Sequence, residues 1–148
     1  RDTDRSRGLG DVYKRQDFFQ REIRDYEYYA VLDFAFEALE YNDTVLINAP
    51  FTEEIRDNEY LDNLRAKLKE KDAELFVVWV HTDVEVCHER MIKRASDRDA
   101  WKLAHWDEYI ATQNFKQPDN IPELFVFNNS SEEEYKKSID AAVKAIRG

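Results

Sequence analysis

Three short apolar runs constrain the fold of this chain more than any other feature. They are TVLINA at 44–49, LFVVWV at 75–80 and LFVF at 124–127. None of them alternates apolar with polar residues, so each is predicted to be a strand buried on both faces. Because a segment with helical periodicity follows each run, the order predicts an α/β fold, a parallel sheet with helices on both faces.

Apolar residues recur at helical spacing in the segments around these strands. Four predicted helices cover residues 26–41, 58–71, 84–94 and 99–112. Asp83 stands at the N-cap position of the third helix, and Ser131 with Glu134 is typical of a capping box that opens a fifth. The buried stripe predicted along this last helix is Tyr135, Ile139, Ala142, Val143 and Ile146. The stripes of the first two helices are Tyr28, Leu32, Ala35, Phe36 and Leu39, and then Tyr60, Leu61, Leu64 and Leu68.

The first 16 residues differ from the rest in charge and glycine content. They hold two of the three glycines and 5 basic against 3 acidic side chains, whereas 17 basic and 29 acidic side chains follow. Residues 11–16, back-translated as GAT GTG TAT AAG AGA CAG, resemble one reading frame of a transposase mosaic end used in sequencing adaptors. We therefore interpret 1–16 as a non-native, adaptor-derived head and 17–148 as a gene fragment. The alternative is a native basic arm.

Composition narrows the class of protein. Residues 17–148 suffice for one domain, and their net charge of −12 argues against broad contact with nucleic-acid phosphates. No apolar run reaches the roughly 18 residues of a membrane span. We therefore expect neither a nucleic-acid nor a membrane partner. The lone Cys87 cannot form an internal disulfide and is interpreted as a buried structural thiol, so we expect a cytoplasmic protein. The three histidines lack metal-ligand spacing, and no protein-held metal is expected. The oligomeric state stays open.

The absence of glycine between Asp17 and Arg147 excludes one kind of site. A loop that binds phosphate through backbone N–H groups needs glycine, because its path is tight and includes positive φ angles. Neither G-x-x-x-x-G-K-[ST] nor G-x-G-x-x-G is present. If nucleotide is bound in the usual way, we expect the phosphate loop to lie upstream of residue 17.

Several stretches together resemble the later two-thirds of a P-loop ATP-binding protein of the AAA family ATPase type. They are TVLINAPF, LFVVWVHTDVEVCHERMIKR, RDAWKLAHWDEYI and FVFNNSSEEE. This group is similar in fold to small kinases such as gluconate kinase, chloramphenicol phosphotransferase and the zeta toxins. The most specific piece is W-V-x-T-D-x-E-x-C-x-x-R-M-x-x-R.

The resemblance implies a P-loop kinase-like domain that lacks its N-terminal strand, P-loop and helix, a unit expected before Tyr26. It also implies ATP and Mg²⁺ as cofactors and a small-molecule hydroxyl as phosphoryl acceptor. On this interpretation residues 17–148 are part of a phosphotransferase that is inactive as given, because the Walker A loop is missing.

The resemblance further implies a lid around residues 90–112 whose basic side chains contact the nucleotide. Arg90 and Arg94 are four apart and share one face of a predicted helix. Together with Arg98 they are predicted to contact phosphate, and Lys102 is predicted to bind the nucleotide. The alternative is that the first two arginines pair with nearby acids, namely Glu85, Glu89 or Asp97.

The ends of the strands provide the remaining candidates, since ligands of parallel sheets collect beyond the carboxyl ends. Asn128 and Asn129 resemble the turn that contacts adenine in related kinases, although helix capping also explains Asn129. Asn48, Phe51 and Arg56 are predicted to line the acceptor pocket, and turn or loop roles explain them equally well. Related proteins often have Asp where this chain has Asn48, and an amide cannot take a proton, so the identity of the catalytic base stays open.

Two functions of other classes remain open. One is a non-enzymatic domain whose acidic surface docks a basic partner. The other is an ATPase that couples hydrolysis to conformational work without a phosphoryl acceptor. Codons for a strand and a glycine-rich loop before Asp17 would favour either enzyme over the docking domain.

Overall fold

A computed structural model describes residues 24–148, which combine helices with strands. The helices are α1 (Arg24–Ala38), α2 (Asn58–Glu70), α3 (Val84–Arg94), α4 (Ala100–Ala104), α5 (Trp106–Thr112) and α6 (Glu132–Arg147). The strands are β1 (Val78–His81) and β2 (Phe125–Asn128). The adaptor-derived head proposed for 1–16 lies outside the described residues. From Arg24 onward, no helix combines the length and apolar character that crossing a membrane requires.

The chain divides into two compact units. One comprises the residues up to Thr52 together with Asp62–Glu74, and the other comprises Glu53–Leu61 together with Leu75–Gly148. In the first unit Ala35 of α1 is buried, and the rest of the stripe predicted for that helix is half-buried. The predicted face of α2 is likewise confirmed, with Leu61 and Leu68 buried.

Two of the three predicted strands are confirmed, and they pair in parallel. The register runs from Val78 opposite Phe125 to His81 opposite Asn128. Helix α6 packs on β2, where the Asn128 N–H donates a hydrogen bond to the Ser138 hydroxyl at 2.9 Å. The described residues therefore have an α/β arrangement built on a two-stranded parallel sheet.

The prediction of a strand over 44–49 is wrong. None of these residues belongs to a strand, and the only sheet among the described residues joins β1 and β2. A strand exists only where a neighbouring strand hydrogen-bonds to its backbone, and an apolar sequence does not supply that neighbour. Burial in this segment alternates, with Val45 and Ile47 half-buried and Leu46 exposed between them.

The buried stripe predicted along α6 needs a similar correction. Ala142 is half-buried, but the four large members of the stripe are between 38% and 48% exposed. They are Tyr135, Ile139, Val143 and Ile146. Two strands spaced about 4.8 Å apart form a surface narrower than the roughly 10 Å diameter of a helix, so the sheet covers only part of the apolar face of α6.

Helix α3 has the predicted bounds, whereas the single helix predicted over 99–112 is broken at His105. His105 has φ −125° and ψ 46°, which is not helical, and it separates α4 from α5. Its backbone N–H and its Nδ1 both lie 3.0 Å from the carbonyl oxygen of Trp101. The backbone bond is the ordinary helical bond to the fourth residue before, so the interruption lies in the backbone angles of His105, which helical periodicity does not reveal.

The two predicted N-caps differ in outcome. Ser131 caps α6, because its Oγ accepts a hydrogen bond from the Glu134 N–H at 3.2 Å. Asp83 occupies the N-cap position of α3, but its side chain accepts no capping hydrogen bond. Its carboxylate lies instead beside His81, with 3.1 Å between Asp83 Oδ1 and His81 Nε2.

We expect Ser131→Ala to lower the free energy of unfolding by about 1 kcal/mol, because the Glu134 N–H loses its acceptor. Ser131→Asp keeps an acceptor at the N-terminus of α6 and is expected to retain most of that stability. Urea titrations of the three proteins provide the measurement. Equal stability of Ser131→Ala and the parent protein would show that the cap contributes nothing.

Candidate functional site

The carboxyl ends of β1 and β2 bring two polar segments together. His81 and Asn128 end the strands as register partners. Beyond them the Asn129 N–H donates to the His81 carbonyl at 2.8 Å, and the Asp83 N–H donates to the Ser130 hydroxyl at 2.9 Å. We call these five residues the strand-end corner. Its formation confirms that the segments following the two strands meet at one edge of the sheet.

The residues of the strand-end corner differ in exposure: Asp83 and Asn128 are exposed, whereas Asn129 and Ser130 are half-buried. The exposed His81 and Asp83 side chains form a pair that has little effect on stability, because such pairs are screened by solvent. The corner can donate and accept hydrogen bonds. The predicted adenine contacts of Asn128 and Asn129 stay predictions, while their backbone N–H groups are used to fix the turn.

A thiol lies next to this corner. Cys87 Sγ is 3.8 Å from the Thr82 carbonyl oxygen and is half-buried. Burial raises the pKa of the Cys87 thiol, and the nearby positive charge of Arg90 opposes that rise. A thiol with a raised pKa is a poor nucleophile, which agrees with its interpretation as a structural residue.

The basic segment contains a second polar feature, an ion pair between Arg94 and Asp99. Arg94 Nε donates to Asp99 Oδ2 at 3.0 Å, and Arg94 Nη2 donates to the same oxygen. Lys102 Nζ is 3.9 Å from the other carboxylate oxygen. Arg94 is thus paired with an acid, but that acid is Asp99 and none of the three predicted from the sequence, which are Glu85, Glu89 and Asp97.

Sequence reasoning missed Asp99, although its side chain is only 1% exposed. Ala95 ends α3 in the left-handed conformation, with φ 47° and ψ 41°. The chain then turns back through the short 3₁₀ segment Asp97–Asp99, and Asp99 reaches Arg94. Glycine is the usual residue at such a helix end, and because Ala95 takes its place the turn leaves no sequence signal.

Positive charge surrounds the buried carboxylate. The hydrogen bonds from Arg94 lower the pKa of Asp99, burial opposes them, and the charges of Arg94, Arg98 and Lys102 lower that pKa further. Asp99 is therefore ionised at neutral pH. Arg90 and Arg98 are exposed on the same stretch of chain.

The three candidates for the acceptor pocket have different surroundings. Asn48 is exposed in the segment wrongly predicted as a strand. Phe51 has φ 40° and stacks on Tyr28 with ring centroids 4.5 Å apart. In the other unit the Arg56 guanidinium lies 5.3 Å from the ring centroid of Trp79 and donates to a backbone carbonyl. These contacts explain the packing of Phe51 and Arg56, and acceptor binding stays a prediction for all three residues.

Two of the three histidine rings, those of His88 and His105, stack on tryptophan rings. The His88 and Trp106 rings are 3.9 Å apart and nearly parallel, and His105 stacks on Trp101 at 4.8 Å. Within residues 24–148 no three His, Cys, Asp or Glu side chains are grouped so that they could hold a metal ion.

Comparison with known proteins adds no relative. No protein-family model, no curated protein and no solved structure matches this chain. The class that the molecule itself defines is a mixed α/β protein with a parallel strand pair.

Acid should remove the contribution of Asp99 to stability. Because its pKa in the folded protein is lowered below the ordinary value of 3.8, that contribution is complete above 3.8 and is lost as the pH falls through the folded value. We expect Asp99→Asn to be less stable at neutral pH and to lose less stability on acidification. Urea titrations across a pH series provide the measurement, with Asp97→Asn, in the same 3₁₀ segment but exposed, as the control. Parallel curves for Asp99→Asn and the parent protein would contradict this assignment.

Proposed function

We propose that this chain forms part of an ATP-dependent phosphotransferase that acts on the hydroxyl group of a small molecule. One observation carries the proposal: the parallel strands β1 and β2 end in a polar corner, and a helix with basic residues in its later turns follows directly. Open α/β sheets bind their ligands at this edge. Phosphoryl transfer depends mainly on positioning and on neutralising charge, which basic side chains can supply.

The proposal gives the two polar features different tasks. The strand-end corner would bind the nucleotide or the acceptor through hydrogen bonds. Arg94 lies at the other end of α3, about 15 Å along the helix axis from its first residue at a rise of roughly 1.5 Å per residue. Its guanidinium would therefore reach a ligand at the corner only if the basic segment closes over it, a motion typical of enzymes that exclude water from phosphoryl transfer.

The proposal also requires parts that the described residues lack. A backbone phosphate loop needs glycine, and residues 17–147 contain none. Mg²⁺ in such enzymes is held largely by the phosphates of the nucleotide and by one or two carboxylates.

A second function, a non-enzymatic domain that docks a basic partner, is favoured by a different observation. Arg94 is engaged by Asp99, and the chain as a whole carries a net charge of −10. An acidic surface speeds association with a basic partner and raises its specificity. A third candidate, an ATPase without an acceptor, differs from the kinase only in the outcome of acceptor screening.

Reading the codons immediately upstream of Asp17 in the uninterrupted gene tests the proposal. Codons for a β-strand followed by G-x-x-x-x-G-K-[ST] would support a phosphotransferase, and acceptor screening with the complete gene product would then identify the substrate. Codons for RGLGDVYKRQ in an intact gene would overturn the proposal in favour of the docking domain.

The chain of 148 residues should not turn over ATP, and it should bind nucleotide weakly or not at all. The reason is that without a glycine-rich loop no set of backbone N–H groups surrounds the phosphates. We expect millimolar MgATP to leave the melting temperature nearly unchanged in a thermal unfolding assay. A rise of several degrees would show tight binding to the folded state and contradict this expectation.

A further inference from the structure

Asp99 has no role in the function proposed so far, yet it is the one ionisable side chain among the described residues that is almost completely buried. Removing a carboxylate from water is unfavourable unless hydrogen bonds and opposite charge compensate for the loss. Arg94 supplies both, through two N–H groups directed at Asp99 Oδ2. The side chain of Arg94 itself is 48% exposed.

The geometry leaves part of the guanidinium free to bind a ligand. A guanidinium has five N–H donors, and Asp99 accepts from Nε and from one hydrogen of Nη2. Both hydrogens of Nη1 and the second hydrogen of Nη2 remain. One hydrogen of Nη1 and the second hydrogen of Nη2 lie along one edge of the rigid planar group, a pair of donors that matches two oxygens of a phosphoryl group, while the other Nη1 hydrogen points back toward Cδ.

We propose that Asp99 is a positioning residue, which holds Arg94 so that the free edge of its guanidinium binds a phosphoryl group. The choice of ligand rests on the proposed phosphotransferase function. Arg98 and Lys102 add to the site, because together with Arg94 they place three positive charges around one carboxylate. This local excess of positive charge contrasts with the net negative charge of the chain.

Positioning explains the arrangement better than masking of Arg94. A carboxylate that masked the arginine would compete with phosphate for the whole guanidinium, and it would have to leave when the ligand arrived. Asp99 is instead 1% exposed and follows a sharp turn, it bonds only Nε and Nη2 of the arginine, and the Arg94 side chain is 48% exposed. The two interpretations predict opposite effects of removing the Asp99 charge.

Pyrophosphate titration followed by NMR tests this inference. The side-chain Nε–H signal of Arg94, assigned by its loss in Arg94→Lys, reports directly on the guanidinium. We expect pyrophosphate to shift this signal with millimolar affinity, which is weak enough to leave the melting temperature nearly unchanged. Sodium chloride at matched ionic strength controls for screening.

Asp99→Asn keeps the size of the side chain and removes its charge. We expect it to weaken pyrophosphate binding by about tenfold, the effect of losing one charge-assisted hydrogen bond, and the Asp97→Asn control to bind normally. Unchanged or tighter binding by Asp99→Asn overturns the inference, as does the absence of any shift at Arg94. Arg94→Lys keeps the charge but loses the planar fork, and with the backbone amide signals of residues 95–102 as the readout in both proteins it provides a second test if Asp99→Asn does not fold. Normal pyrophosphate binding by Arg94→Lys would also overturn the inference.

The outcomes separate this inference from the proposed function. Suppose that pyrophosphate binding at Arg94 depends on Asp99 but the complete gene product transfers no phosphoryl group. Then the phosphotransferase proposal fails and the positioning role of Asp99 stands. If the gene product is a kinase and Asp99→Asn leaves both pyrophosphate affinity and turnover unchanged, the positioning role fails alone.

Discussion

The parallel pairing of β1 with β2 is the constraint on which the strand-end corner depends. A parallel ladder aligns the carboxyl ends of both strands, so the residues that follow His81 and Asn128 must leave the sheet side by side. The hydrogen bonds of Asn129 and Ser130 then continue the pairing beyond the sheet. On the other side of β2, the Ser138 hydroxyl connects the end of the strand to α6.

Local sequence patterns predicted the elements whose cause is also local. The bounds of α3 and the cap at Ser131 follow from apolar periodicity and from hydrogen bonds between residues close in sequence. The apolar runs also located β1 and β2, but these strands exist because each pairs with the other. The predicted strand at 44–49 fails because a strand depends on a partner that its own residues do not specify. The break at His105 is a change of backbone angles at one residue, which periodicity does not encode.

The candidate site likewise has one part that the sequence predicted and one part that it did not. The meeting of the segments after β1 and β2 could be predicted, because it follows from the rule for parallel sheets. Asp99 could not, because its approach to Arg94 depends on the left-handed conformation of Ala95, a residue type that rarely adopts it. The basic residues were found from the sequence, but the carboxylate that orders them was not.

The distance along the chain between β1 and β2 also bears on how this protein is made. Their register partners are separated by nearly a third of the sequence, and α3, α4 and α5 all lie between them. A growing polypeptide can form these helices as they leave the ribosome, but among residues 24–148 β1 has no partner strand until β2 has emerged. During synthesis an unpaired apolar strand is therefore exposed, and chaperones that bind extended apolar segments have their opportunity in that interval.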